Sequence, residues 1–391
     1  MPVDAIFARR ALTPQQEITD AVVLIDGEKI AAVGRRDEVA VPASARRHDK
    51  TGCTIVPGFI DVHIHGAAGY DVMDSTPEAL AAITSNVGAR GTTSLVATTV
   101  TASADSIVRA AEAVAGWMGR AARERRASTA SAEILGVHYE GPFISRARRG
   151  VHPEEWIAAP SISLFRRLLG AARGAGRIIT LAPELPGAAE LIGEATRAGV
   201  VVSMGHTDAG YAEAMAAISH GARHAAHVFN AMRPFAHRET GVLGAILTSP
   251  SVTAELIADG VHVDDAAIRV LLAAKGPQGM ILVSDGTAAT GMPDGKYRLG
   301  TFEVSVAGGV TRNSDGKLAG STLTLDRALR HMTGLGVPLA EVLPMLTSNP
   351  ARLLGLEARK GCLAAGADAD LVLLDDQLEV AGVMTRGVGL N

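Results

Sequence analysis
In this 391-residue chain, histidines and acids recur where short apolar runs stop. Asp61, His63 and His65 alternate with Val62 and Ile64. A two-residue period puts the polar trio on one face of an extended strand and the aliphatic pair on the other. Two imidazoles side by side at a strand end are a metal-ligand pattern, because neutral imidazole donates well to zinc or iron(II). H-x-H alone is common; its meaning here comes from four further strand ends. They read His138-Tyr139-Glu140-Gly141-Pro142, Met204-Gly205-His206, His227 and Ser284-Asp285-Gly286. Glu140 can bridge two cations or complete a mononuclear site with His206 and His227. Asp285 stands where a general base beside an activated water belongs.

Other polar residues have plainer readings. His138 shares a strand face with Glu140 and is expected to hydrogen-bond inside the fold. His220 lies near a helix C-terminus, where an imidazolium complements the dipole. His48 and His331 carry no motif. The arginine runs Arg120–Arg126 and Arg146–Arg149 read as solvated faces, the second close enough to Glu140 to leave a substrate contact open. Asn349-Pro350 reads as a turn or helix boundary.

Positioning such a set requires strands that end at a common rim. Apolar runs lie at Phe59–His65, Ser94–Thr98, Ile134–Tyr139, Ile178–Ala182, Val200–Met204, His224–Phe229, Thr253–Ala258 and Met280–Ser284, each followed by a stretch with helical potential. After the first, Thr76 can cap a helix with Pro77 at its first position, Leu80, Ile83 and Val87 on one face, and Gly91 at its end. Similar helices are expected to stop near Gly199 and Gly221. Eight β–α alternations predict a parallel (β/α)8 barrel, whose sites gather at the C-terminal strand ends. A doubly wound sheet would want a glycine-rich phosphate turn after the first strand, and none is there. Residues 296–319 break the rhythm and read as an inserted β-hairpin. Both chain ends are β-prone: Ala21–Ile25 and Ile30–Val33 flank an Asp26-Gly27 turn, and Leu371–Leu374 precedes Val380–Met384. The expected organisation is a small β-sandwich domain from residues 1–54 plus 360–391, around a barrel at 55–359.

Composition removes several function classes. Hydrophobic residues make up 47% and charged residues 20%, enough apolar material for a large core. Lys+Arg 37 against Asp+Glu 41 gives a net charge of -4, without the basic excess that nucleic acid or an anionic membrane surface demands. Two cysteines, Cys53 and Cys362, cannot build a disulfide framework, which points to a reducing cytoplasm. The opening MPVDAIFARRALTPQQ has no apolar core of a signal peptide, and no apolar run is long enough for a membrane span.

The segment Pro57-Gly58-Phe59-Ile60-Asp61-x-His63-x-His65-Gly66 resembles the opening motif of the amidohydrolase superfamily. Further motifs narrow the likeness: HYEGPFIS (138–145), GHTDAGYAEA (205–214), HVFNAMRPFAHRETG (227–241), ADGVHV (258–263), VSDGTAATG (283–291) and LAGSTLTL (318–325). Together they resemble the N-acetylglucosamine-6-phosphate deacetylase family along essentially the whole chain. The closing NPARLLGL…KGCLAAGADADLVLLD (349–375) fits amidohydrolases broadly.

The resemblance implies metal-dependent hydrolysis of the acetamide of N-acetylglucosamine 6-phosphate to glucosamine 6-phosphate and acetate. N-acetylgalactosamine 6-phosphate is the alternative substrate, since a metal site alone does not distinguish sugar epimers. Motif by motif, Glu140, His206 and His227 fall on the principal metal ligands, His63 and His65 on second-metal ligands, and Asp285 on the catalytic acid/base. One or two divalent metals, zinc or iron, are expected per subunit. Family substrate contacts fall on Val151, His152, Asn230, Ala231, Arg238, Asp259, His262, Leu318, Ala319 and Gly320, with Arg238 and His262 as phosphate partners. A homodimer is implied, in which Arg238 serves its own or the neighbouring subunit's site. The arginines at 146, 148 and 149 occupy a loop that varies among relatives. Two other readings fit less well. Cyclic-amide hydrolases carry a bridging lysine, whereas strand four here ends Leu181-Ala182-Pro183-Glu184. A catalytically dead scaffold barrel would have lost ligands that this chain keeps.

Overall fold
The computed structural model describes residues 3–13, 16–121 and 130–390. The chain opens in a sheet: β1 (Asp4–Leu12), β2 (Glu17–Asp26), β3 (Lys29–Arg35) and β4 (Arg46–Pro57), with β1 antiparallel to β2 and parallel to β4. Asp26 pairs with Lys29 across a Gly27-Glu28 turn, and Gly27 supplies the positive φ of 58°.

The barrel follows at once. Its strands are β5 (Phe59–Ile64), then, after a short β6–β7 ladder (Gly66–Ala67 and Tyr70–Asp71), β8 (Thr92–Thr99), β9 (Glu133–Glu140), β10 (Gly176–Leu181), β11 (Val201–Met204), β12 (His224–Ala225), β13 (Thr253–Leu256) and β14 (Met280–Leu282). All eight expected runs are strands, paired in parallel in sequence order from β5 to β14. A bridge between Ile64 and Gly286, and the Asp285 N–H donated to the His63 carbonyl at 2.9 Å, close the ring.

A helix follows each barrel strand: α1 (Pro77–Gly88), α2 (Ala104–Ala121), α3 (Ile162–Ala171), α4 (Ala188–Arg197), α5 (Tyr211–His220), α6 (Gly241–Thr248), α7 (Asp265–Lys275) and α8 (Leu325–Gly334). Thr76 caps α1 by accepting the Ala79 N–H, Pro77 opens the helix, and Leu80, Ile83 and Val87 are buried. α4 and α5 stop just before Gly199 and Gly221, whose φ values are 73° and 124°. Val62 and Ile64 join the core beneath these helices, so the alternate residues Asp61 and His63 face the barrel interior. Of the 120–126 arginine run, residues 122–126 lie outside the described residues.

The insertion has one strand more than a hairpin: β15 (Gly295–Leu299), β16 (Phe302–Ala307) and β17 (Val310–Arg312). Gly308-Gly309, with φ values of 59° and 75°, turns the chain back a second time between Ala307 and Val310. After α8 come α9 (Leu339–Leu346) and α10 (Ser348–Leu353). Asn349 is buried in α10, and its amide donates to the carbonyls of Pro277 and Met280, clamping the start of β14.

The last strands, β18 (Leu371–Leu374), β19 (Val380–Thr385) and β20 (Val388–Gly389), return to the opening sheet. Its order is β20-β19-β18-β4-β1-β2-β3. The two faces of the expected sandwich belong to this single sheet rolled over its own core. Ile6, Ile25, Ile55, Leu371 and Leu373 fill it, and the Ile30 N–H reaches across to the Ala367 carbonyl at 2.9 Å.

A buried ion network joins this sheet to the foot of β9. Lys360, 1% exposed, places its ammonium 2.6 Å from Glu133, 2.5 Å from Asp370 and 3.1 Å from Asp368. Arg359 and Arg386 also hold Glu133. Burial works against the Glu133 and Asp368 carboxylates, but Lys360, and Lys29 for Asp368, outweigh it and hold both below the ordinary carboxylate range. Groups lowered in this way stabilise the fold above their unfolded values of about 4, and that contribution is lost as pH falls below about 4. Lys360→Met strands buried carboxylates and is expected to cost about 3–5 kcal/mol in denaturant unfolding at pH 7. The variant's stability should also fall less than the wild type's between pH 5 and 3.

Candidate metal centre
The acid and histidine strand ends converge. Glu140, at the end of β9, is 3% exposed, and its Oε1 lies 3.2 Å from His206 Nε2 and 3.0 Å from His227 Nε2. Those two nitrogens are 3.1 Å apart. Donors held by one ion at about 2.0–2.2 Å stand about 3–3.5 Å from each other, so this trio fits a single cation. A second group adjoins it. His65 Nε2 is 3.2 Å from Asp285 Oδ1 and 3.3 Å from Glu140 Oε2, and His63 Nε2 is 3.3 Å from Glu140 Oε1 and 3.8 Å from Asp285. His63 Nε2 is buried without a hydrogen-bond partner among the described residues, as a nitrogen meant for a cation would be. Glu140 Oε1 thus faces the first group and His63, while Oε2 faces His65.

Local backbone aims these side chains. His206, His227 and Asp285 have positive φ values of 48°, 27° and 48°, so the chain turns sharply as each strand ends. Such conformations persist only where neighbours hold them. The His206 carbonyl accepts the Ser145 N–H at 2.8 Å, and the Asp285 carbonyl accepts the Ser321 N–H at 2.8 Å. At Gly141, φ is 82° and an added Cβ would sit 2.2 Å from Thr101 Oγ1, so only glycine lets the chain leave Glu140 here.

Second partners fix the rings. His206 Nδ1–H donates to the Arg148 carbonyl at 3.0 Å, and His65 Nδ1–H to the Thr98 carbonyl at 3.2 Å. In the neutral ring each bond leaves Nε2 as the inward lone pair. The Arg146–Arg149 run therefore supplies a main-chain anchor, while its side chains pair outward, Arg146 with Glu154 and Arg148 with Asp208. His138 is satisfied inside the barrel by the Val62 carbonyl at 3.1 Å and Thr180 Oγ1 at 2.7 Å. Burial and the nearby His63 push its pKa down to about 3, so it stays neutral. His220 bonds the Ala216 carbonyl, and His48 and His331 pair with Asp4 and Asp265.

The electrostatics favour positive charge at His63 and His65, whereas burial and the nearby His152 push the His206 pKa down to about 4. Burial opposes an imidazolium at His65, yet Asp285 and Glu140 raise its pKa to about 9. Burial likewise opposes charge at His63, where Glu255 and Glu140 prevail and raise it well above the ordinary value. A field that holds protons on buried imidazoles also draws a dication to the same nitrogens, which releases those protons. Asp285, despite burial, is held below the usual carboxylate range by His65 and His63, leaving it a carboxylate able to accept a proton.

A cavity of about 210 Å³ opens onto both donor groups. Of the residues that the sequence singles out for substrate, Val151, His152, Asn230, Ala231, His262, Leu318 and Gly320 line it. His152 also reaches Glu140 Oε2 at 3.3 Å. Asp259 orients His262, holding Nδ1 at 2.7 Å, and Ala319 is buried behind the wall with Val100 and Leu299. Arg238 is exposed on the loop after β12, outside the residues lining the cavity. The sequence reading misses two contributions. Leu299 and Phe302 bring an apolar wall from the insertion. Glu255, fully buried in β13, bonds His63 Nδ1 and His224 Nε2, each at 2.8 Å. An acid inside the apolar run Thr253–Ala258 is the signal that could have found it.

Residues 54–389 match the amidohydrolase family. N-acetylglucosamine-6-phosphate deacetylase of Bacillus subtilis is 38% identical over 377 residues, spanning 96% of this chain and 94% of that protein. N-acetylgalactosamine-6-phosphate deacetylase of Escherichia coli O157:H7 is 36% identical over 381 residues, 97% of each. The N-acetyl-D-glucosamine-6-phosphate deacetylase of Mycobacterium smegmatis, solved in complex with N-acetyl-D-glucosamine-6-phosphate, superposes with a TM-score of 0.91 at 36% identity. That match covers 100% of this chain and 99% of the other.

The geometry separates histidines that could hold a cation from those engaged inside the fold. His206→Ala is expected to lose at least tenfold in divalent-metal affinity, while His138→Gln keeps the wild-type value within about threefold. Metal content after dialysis against a graded chelator series reads out both.

Proposed function
The chain belongs to the amidohydrolase family, and from that premise we propose that it is an N-acetylglucosamine-6-phosphate deacetylase working with one or two divalent cations, zinc or iron. The observation that carries the reading is the meeting of Glu140, His206 and His227 within 3.2 Å of one another at the mouth of a small cavity. Their donor set, one carboxylate and two imidazoles, suits such a cation. His63 and His65 hold a second one. A cation held there supplies Lewis acidity, polarising a carbonyl and lowering the pKa of water from 15.7 to about 7.

The chain's own groups do the rest. Asp285 Oδ1 takes the proton of the attacking water and delivers it to the departing amine nitrogen, serving as base and then acid. That oxygen lies 3.2 Å from His65 Nε2, beside the second seat. Asn230, Ala231 and His262 hold the sugar, and Leu299 and Phe302 keep bulk water off the acetamide. The products are glucosamine 6-phosphate and acetate. His262, steadied by Asp259, binds phosphate. Arg238 serves the cavity of a neighbouring subunit in a homodimer, a role supported by its exposure away from its own. The unpaired Cys53 and Cys362 support a place in the reducing cytoplasm. No helix among the described residues is long and apolar enough to cross a membrane.

N-acetylgalactosamine 6-phosphate is the second reading, favoured by the 36% identity to the Escherichia coli enzyme named for it. Acetate release from both epimers, with and without phosphate, decides between them. The expected outcome is a kcat/KM at least tenfold higher on N-acetylglucosamine 6-phosphate than on either its epimer or the unphosphorylated sugar. Equal constants with and without phosphate would sink the His262 and Arg238 assignment. Asp285→Asn should keep its metal while kcat drops at least 100-fold, in line with loss of general acid–base catalysis.

A further inference from the structure
One carboxylate outside both donor groups ties them together. Glu255 Oε1 faces His224 Nε2 at 2.8 Å, while Oε2 faces His63 Nδ1 at 2.8 Å and accepts the His227 backbone N–H at 3.1 Å. His63 belongs to the second donor group and His227 to the first. A carboxylate only accepts, so its bond to His63 requires a proton on Nδ1 and frees Nε2, the nitrogen facing Glu140. The His227 bond steadies a non-glycine residue at a φ of 27°. His224 is itself anchored, its Nδ1 lying 2.7 Å from Thr253 Oγ1, so the brace is fixed at its far end.

Building on the metal-hydrolase reading above, we infer that Glu255 is the positioning residue of the second cation seat, setting the tautomer and ring orientation of His63 for the cation shared with His65. Geometry, more than charge, is what it supplies. In Glu255→Gln the side-chain oxygen still meets the His63 and His227 donors, while the amide nitrogen donates to His224 Nε2 once that ring moves its proton to Nδ1, facing Thr253 Oγ1. In Glu255→Ala all three bonds vanish.

The test titrates wild type, Glu255→Gln and Glu255→Ala with zinc against a competing chelator, and records ¹⁵N NMR of the histidine rings in the zinc-loaded proteins. The alanine variant should bind its second zinc about 10–100-fold more weakly and lose the solvent-protected His63 Nδ1–H signal, with the glutamine variant within about threefold of wild type and keeping that signal. Wild-type affinities in the alanine variant, or a glutamine variant as weak as the alanine one, would overturn the inference. So would a wild type that takes up only one zinc. Should the alanine variant fail to fold, the His63 Nδ1–H signal in the glutamine variant decides, its absence overturning the inference. A wild type that binds no zinc would instead remove the metal-hydrolase reading itself.

Discussion
Five imidazole nitrogens lie within 3.3 Å of one buried carboxylate, that of Glu140. This concentration of donors is the constraint on which the rest of the molecule depends. A carboxylate taken out of water needs compensating positive charge, and desolvating it without a partner costs several kcal/mol. Burial alone would neutralise Glu140, yet the surrounding histidines hold its pKa well below the ordinary value. A fold that keeps so many proton-accepting nitrogens around one anion is suited to a divalent cation, because imidazole and carboxylate together satisfy its charge and its coordination.

The barrel makes that concentration affordable. Its outer face carries the aliphatic packing, with Val62, Ile64, Val137 and Ile179 fully buried. The interior can therefore hold His138, His224, Glu255 and Thr180, each paired with another interior group. Rigid parallel strands bring groups far apart in sequence to one rim, and left-handed residues at the strand ends turn the final side chains inward. The insertion then covers this rim from the side of Val100, with Leu299, Val304 and Ala319 forming its own small core. At the opposite end, the sheet built from both chain termini is bound to β9 through Lys360 and Glu133, so the strand that carries Glu140 is held at its foot as well as its tip.

Much of this was legible from sequence because period-two alternation and strand-end acids are local signals. Asp61, His63 and His65 announce their faces through Val62 and Ile64, and Glu140, His206, His227 and Asp285 each follow an apolar run. His138 is distinguishable from Glu140 only by what lies beside it, and its hydrogen bonds in the barrel agree with the structural role expected of it. Glu255 left one trace, an acid inside the apolar run Thr253–Ala258, but its partners were not legible. It sits in mid-strand, and its partners, His63 and His224, are 192 and 31 residues away. The third strand of the insertion did carry a signal, Gly308-Gly309, hidden within a segment already read as a single hairpin. The rolled terminal sheet depends on pairings such as Ile55 with Leu373, which no local pattern specifies.

That strand ends distant in the chain share one cation is the central proposal. Crystals grown with zinc, with diffraction measured on both sides of the zinc absorption edge, test that claim most directly. The expected result is an anomalous peak within about 2.0–2.2 Å of Glu140 Oε1, His206 Nε2 and His227 Nε2. A fully occupied zinc peak elsewhere, with those three atoms turned away from any common point, would contradict it.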